Sequence, residues 1–216
     1  MNNKKMFLIS LFAISALTAL NASAKTYCGI LGDQKIELDS KYFAMKPDYE
    51  GYSPWEANDF EPNADCSSKI ILLSARTNID TGEPSRGASE KGSNIVIFYE
   101  PAKDNLFLNR YANSFERQKE FKLINNSAKK AVYEDISTNS FNMRNVARKT
   151  VYLDNGQVTE IFECGFNTTT KINSCTLFFY SEKYNVKIYG NYNSLKNFVK
   201  ARNFSVEFIN KARIIK

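Results

Sequence analysis

Residues 149–164, KTVYLDNGQVTEIFEC, decide the fold class. Lys149 to Leu153 and Gln157 to Cys164 are rich in β-branched and aromatic side chains, and they flank Asp154-Asn155-Gly156. Asn-Gly between two such runs is the strongest short-range hairpin signal, because both residues tolerate positive φ. Toward the C terminus, the polar stretch Asn167 to Asn173 leads to a third strand, Ser174 to Tyr180. A turn at Ser181 to Tyr184 leads to a fourth, Asn185 to Tyr189. Cys175, Leu177 and Phe179 share one face of the third strand, as Val186 and Ile188 do on the fourth. After Asn193-Ser194 the period changes. Leu195, Phe198, Val199, Val206, Ile209 and Ala212 approximate an i, i+3, i+4 stripe, and Ser194 stands where an N-cap would. Residues 195–212 therefore read as an amphipathic helix lying on the sheet.

Toward the N terminus the signals are shorter. Tyr27 to Leu31 and Lys35 to Leu38 form a strand pair around Gly32-Asp33, and Ile70 to Leu73 is a buried-strand candidate. Ile95 to Tyr99 is a continuous apolar run, which places it centrally in the sheet. Leu106 to Leu108, Glu120 to Ile124 and Ala131 to Tyr133 read as further short strands of a meander. Residues 77–94 carry Gly82, Pro84, Gly87 and Gly92 among polar residues, which marks a mobile loop or a boundary. The expected fold class is α+β: a mainly antiparallel sheet with a C-terminal amphipathic helix and two disulfides.

Residues 1–24 read as a cleaved signal peptide. Lys4 and Lys5 precede an apolar run from Met6 to Leu20, and Ala22-Ser23-Ala24 offers a small-x-small cleavage site. The run is too short to span a bilayer comfortably. No cysteine follows the cleavage site directly, so a stable lipid anchor is not expected. The rest, residues 25–216, is then an exported single domain, with a division into two lobes near 77–93 left open. The expected address is the periplasm or the outside of the cell.

Composition narrows the chemistry. Without Lys4 and Lys5, 27 basic residues face 23 acidic ones, a net charge of about +4 that reads as a solvated surface. No compact basic motif points to nucleic acid. The chain has no histidine. That removes Ser-His-Asp and Cys-His nucleophilic systems, the common zinc sites built on imidazole, and a histidine proton switch. Carboxylate enzymes and Ser-Lys pairs survive this filter. Ser127-Ala128-Lys129-Lys130 matches S-x-x-K but lacks the companion elements of such acylases. Glu160 and Glu163 point to opposite sides of their strand and do not form a catalytic pair. No cofactor or metal is expected.

The four cysteines, Cys28, Cys66, Cys164 and Cys175, are an even set in an exported chain and read as two disulfides. Three connectivities exist. Cys28–Cys66 and Cys164–Cys175 are favoured, since the members of each pair are close in sequence and the two pairs lie far apart.

Two surfaces stand out as contact candidates. Tyr49, Tyr52, Trp55 and Phe60 sit among acids that include Glu56, in a segment with no regular period. Tyrosine and tryptophan supply large contact area at small entropic cost, and the acids suit a basic partner. The alternative is that these aromatics pin a long loop to the core. The basic side of the C-terminal helix is the second candidate, against a plain solvated face.

In layout the chain resembles periplasmic immunity proteins that accompany antibacterial effectors of type VI secretion systems. A leader precedes Cys28 and Cys66, which bracket Tyr49-Glu50-Gly51-Tyr52-Ser53-Pro54-Trp55. The terminal unit then runs Glu163-Cys164-Gly165, Ser174-Cys175-Thr176-Leu177-Phe178-Phe179, and Leu195 to Phe198. The resemblance implies a non-enzymatic protein that binds a cognate toxin and occludes its active site. The other reading kept open is a carboxylate-dependent envelope hydrolase or a glycan-binding protein. The sequence leaves the oligomeric state undetermined.

Overall fold

A computed structural model of the chain describes residues 25–52, 66–85, 93–119, 121–135, 145–167 and 173–212. The expected leader and the span from Ser53 to Asp65 lie outside the described residues. The hairpin signal holds. β8 (Asn145–Asp154) and β9 (Gln157–Asn167) pair antiparallel around Asn155 and Gly156, whose φ angles are 48° and 78°. β10 (Asn173–Ser181) and β11 (Tyr184–Asn191) continue the meander.

The other strands are β1 (Thr26–Leu31), β2 (Gln34–Asp39), β3 (Asp48–Tyr49), β4 (Lys69–Asn78), β5 (Asn94–Pro101), β6 (Phe121–Asn126) and β7 (Lys130–Asp135). Their order across the sheet is β2-β1-β4-β5-β11-β10-β9-β8-β7-β6, with β3 attached to β4. All pairings are antiparallel except β1 with β4. That parallel contact is close: a Cβ on Gly29 would lie 2.6 Å from the Ser68 carbonyl oxygen, so only glycine fits there. β4 and β5, which the 79–93 segment connects, pair directly with each other.

The chain leaves β5, crosses one face of the sheet as α1 (Leu106–Arg117), and enters the far edge at β6. It then returns strand by strand until β11 closes against β5. The strand expected at Leu106 to Leu108 is thus the first turn of a helix. Leu108, Ala112 and Phe115 recur at helical spacing and are its buried residues. The apolar triplet at the start resembled a strand only when read without the nine residues after it. The Asp104 carboxylate accepts a hydrogen bond from Leu106 N (3.0 Å) and helps start the helix.

The C-terminal helix is present but interrupted. A short α2 (Tyr192–Leu195) precedes α3 (Phe198–Lys211). Ser194 is not the N-cap: Asn191 caps α2 by accepting from Ser194 N (2.8 Å), and Asn197 caps α3 by accepting from Lys200 N (3.1 Å). Asparagine side chains compete with helical backbone bonding, so Asn197 restarts the helix and resets its phase. Ala201, Ser205 and Ile209 consequently face the sheet, while Val199 points to solvent.

The sheet is covered on both faces. Ile95, Ile97, Tyr99, Leu177, Phe179, Val186 and Ile188 pack with Leu195, Ala201 and Ile209 on the α3 face. Phe178, Ile161, Val151 and Tyr133 pack with Leu108, Ala112 and Phe115 on the α1 face. Strand β10 serves both cores by simple alternation, which is why its run from Leu177 to Phe179 is apolar without a break. The favoured disulfides are both present. Cys28–Cys66 ties β1 to the residues before β4, and Cys164–Cys175 joins directly opposed positions of β9 and β10.

Candidate functional site

The residues singled out from the sequence divide into two groups. Trp55, Glu56 and Phe60 lie outside the described residues. Tyr49 is 2% exposed in β3, and its hydroxyl donates to the Cys28 carbonyl (3.1 Å). Tyr52 is half-buried and packs against the same core. Glu50 forms a surface ion pair with Lys69 (2.9 Å). The described part of this segment is therefore anchored beside the first disulfide, with Tyr49 serving the core.

Ser127 is spent on its turn. Its hydroxyl accepts from Lys130 N (3.2 Å) and donates to Lys130 O (3.1 Å), which leaves it no nucleophilic role. On the outer side of α3 the cations are partly committed as well, with Lys200 paired to Asp80 and Arg202 to Glu160.

An open groove of about 280 Å³ lies on the α1 face. Alpha-1 covers only part of that face, so the cross-strand row continuing through Phe178, Lys187 and Phe98 runs out from under it. Leu72, Phe98 and Phe178 line the groove together with Phe107 of α1 and Tyr189 of β11. Phe107 and Tyr189 are 42% and 38% exposed. The Phe98 and Tyr189 rings meet edge-on at 5.5 Å. The Lys187 ammonium lies among these rings, 4.5 Å from the Tyr189 centroid and 5.1 Å from that of Phe178. Glu100 and Asn185, cross-strand neighbours, complete the lining. The Asn185 side-chain oxygen is buried and has no hydrogen-bond partner among the described residues.

Under α1 a polar cluster holds the wall of the groove in place. Tyr111 donates to Glu163 Oε1 (2.7 Å), and Lys149 reaches the same oxygen at 3.2 Å. The Lys149 ammonium also sits 4.2 Å above the Phe115 ring and 4.5 Å above that of Phe121. Phe107 stacks on Tyr111 at 5.8 Å, so the cluster sets the position of the groove's outer ring. Burial, followed by the hydrogen bond to Glu163, pushes the Tyr111 hydroxyl well above the usual tyrosine range.

A second groove lies where Arg202 of α3 meets β9 and β10, and Val158, Glu160, Phe179 and Tyr180 are among its lining residues. Glu160 is buried and accepts from Arg202 Nη1 (2.6 Å). Each of these grooves contains a single carboxylate, and Glu160 and Glu163 sit on opposite faces, the one bonded to Arg202 of α3 and the other to Tyr111 of α1. Among the described residues no cluster of three metal-ligating side chains occurs, and no helix is long and apolar enough to cross a membrane.

The aromatic groove was not legible in the sequence. Its parts come from β4, β5, α1, β10 and β11, and the one available signal was the run of large side chains on both parities of β10 and β11.

No protein-family model matches this chain, and no curated protein does. Two solved structures are similar. The Neisseria meningitidis iron-regulated outer membrane lipoprotein FrpD gives a TM-score of 0.48 at 12% identity, over 86% of this chain and 92% of its own. Smlt3025, an immunity protein of the Stenotrophomonas maltophilia type IV secretion system, gives 0.55 at 10% identity, over 89% of this chain and 94% of its own. That neighbour serves a type IV system, where the layout resemblance pointed to type VI. The chain therefore shares its fold, over 89% of its length, with an immunity protein.

Proposed function

We propose that this chain is an exported, non-enzymatic protein-binding module that occludes a toxic effector. It would act in the periplasm as one domain from residue 25 onward, after loss of residues 1–24. The observation that carries this reading is the fold shared with an immunity protein over 89% of the chain. The paired cysteines fit an oxidising compartment. A sheet packed on both faces and cross-linked twice is a stiff platform, so little ordering entropy is lost when a partner docks. The aromatic-acidic segment around Tyr52, Trp55, Glu56 and Phe60 is part of the same proposal, as a second point of contact.

The hydrolase reading needs two acids facing one another across a cleft. Glu100 stands alone in the first groove, and Glu160 is tied to Arg202 in the second. Nothing in the described geometry favours it.

The test is affinity capture of the exported chain from envelope extracts, with the bound protein identified by mass spectrometry. The captured protein is then directed to the periplasm with and without this chain. Growth arrest relieved by the exported chain, and not by a leaderless version, is the expected result. A captured protein that is harmless, or an arrest that this chain leaves unrelieved, would overturn the reading.

A further inference from the structure

We propose that the aromatic groove between α1 and β4 is the seat of the partner protein, and that it takes an extended peptide segment carrying an apolar side chain next to a carboxylate. The proposal rests on the protein-binding reading and names the surface and its chemistry.

Three observations converge on it. The first is shape and polarity. Soluble proteins seldom leave large apolar side chains gathered around an open groove unless something covers them. Here Phe107 and Tyr189 stand at the rim over a floor of Leu72, Phe98 and Phe178. Met45, a further exposed apolar residue, is tied nearby. Its backbone N–H donates to the Ser74 hydroxyl, and Ser74 is the cross-strand neighbour of Phe98.

The second is charge. Lys187 is the only cation among the groove's lining residues and Glu100 the only acid, and no ion pair joins Lys187 to a carboxylate of the described residues. The two rings hold the ammonium in place but leave its three donors unmatched by any oxygen of the described residues. A purely apolar cover would bury this ammonium with no oxygen in contact, since Glu100 of the same groove stands exposed and outside ion-pair distance, and that is costly. An occupant that removes water from this groove must therefore bring an acceptor, and a carboxylate is the strongest one.

The third is spacing. The unpartnered Asn185 oxygen lies two residues from Lys187 on the same face of β11. That separation is roughly 7 Å, the repeat of every second residue in extended chain. A peptide lying along β11 can place a carboxylate on Lys187, with an apolar side chain on the Phe98 and Tyr189 rings, and Asn185 can accept a backbone N–H from it once its side chain turns toward the groove.

The test uses blocked dipeptides as probes: N-acetyl-Leu-Asp amide, its Leu-Asn analogue, and chitotetraose as the glycan arm. Each is titrated into the isotope-labelled exported chain and followed by nuclear magnetic resonance. Leu-Asp is expected to shift the resonances of Phe98, Phe107 and Tyr189 and to bind about tenfold more tightly than Leu-Asn. Lys187→Gln should abolish that preference, while Lys187→Arg should keep it. Tyr189→Ala should weaken both dipeptides alike, and the unchanged spectrum of distant core residues reports that each variant is folded. Equal binding of the two dipeptides, shifts confined to another surface, or chitotetraose outcompeting Leu-Asp in the groove would each overturn the proposal. Failure here with preserved relief of toxicity removes the groove and leaves the immunity reading. Retained peptide preference without relief does the reverse.

Discussion

The Tyr99 hydroxyl, fully buried in the middle of the sheet, donates a hydrogen bond of 2.7 Å to the backbone carbonyl of Ser205 in α3, 106 residues later in the chain. This bond fixes how the C-terminal helix sits on the central strand. It also satisfies a hydroxyl that would otherwise be stranded in an apolar layer. Tyr99→Phe should lower stability by about 1–2 kcal/mol with the fold unchanged. Urea unfolding with the same slope and a lower midpoint would show this. An unaltered midpoint would mean that the bond contributes nothing net.

The contact between Lys149 and Glu163 operates on the other face and has a different character. Both side chains are largely covered, at 12% and 20% exposure, and Tyr111 shares the carboxylate. Lys149→Met leaves Glu163 partly buried with one neutral donor, and should cost about 3 kcal/mol. Adding Glu163→Gln should recover part of that loss. A double-mutant cycle is expected to return a coupling of at least about 1 kcal/mol. Strict additivity would show that α1 is held by its apolar contacts alone.

The two disulfides close loops of different length, with sequence separations of 38 and 11. In the chain-entropy model they contribute about 4 and about 3 kcal/mol, so replacing Cys28 and Cys66 by alanine should destabilise more than replacing Cys164 and Cys175. Denaturation of the two paired variants decides the order. The first pair also holds Cys66 at a φ of 61°, a conformation that non-glycine residues rarely adopt, so its loss should free the adjoining backbone.

Stability should decline on the alkaline side. Burial raises the hydroxyl pKa of Tyr99, Tyr111, Tyr133 and Tyr152, with smaller contributions from neighbouring tyrosines and glutamates. An unfolded tyrosine ionises near pH 10. Below that pH both states are protonated and the contribution is complete. Above it the unfolded chain releases protons first, so stability falls as pH rises toward the folded-state values. Unfolding midpoints measured from pH 8 to 11.5, with tyrosinate absorbance followed in parallel, should show the fall beginning near pH 10. Tyrosines that titrate at pH 10 without loss of structure would contradict the buried positions.

Local chemistry accounts for most of what could be read in advance. Asn155-Gly156 specified its hairpin because two residues that accept positive φ leave the flanking strands one way to meet. Cys164 and Cys175 could be paired on proximity because β9 and β10 follow one another in the meander and lie side by side, whereas Cys28 and Cys66 meet through the parallel contact of β1 with the approach to β4. The strands around Ile97 and Leu177 announced themselves by unbroken apolar runs. Leu106 to Leu108 misled because three apolar residues carry no period. Only the next two turns, through Ala112 and Phe115, distinguish helix from strand. Ser194 misled because any of Asn191, Ser194 and Asn197 can cap a helix, and packing of Ala201 and Ile209 chose among them.

The amino-acid order alone was enough for the absence of imidazole chemistry, the sheet-rich class and the covalent pairing, since each depends on residue identity or on short-range pattern. The groove is of another kind. Phe98, Phe107 and Lys187 become neighbours only because α1 crosses the face of the sheet and the meander returns β11 to the side of β5. No local rule encodes that closure. It follows from burying two apolar faces at once, and it leaves one lysine among aromatic rings with no carboxylate partner among the described residues.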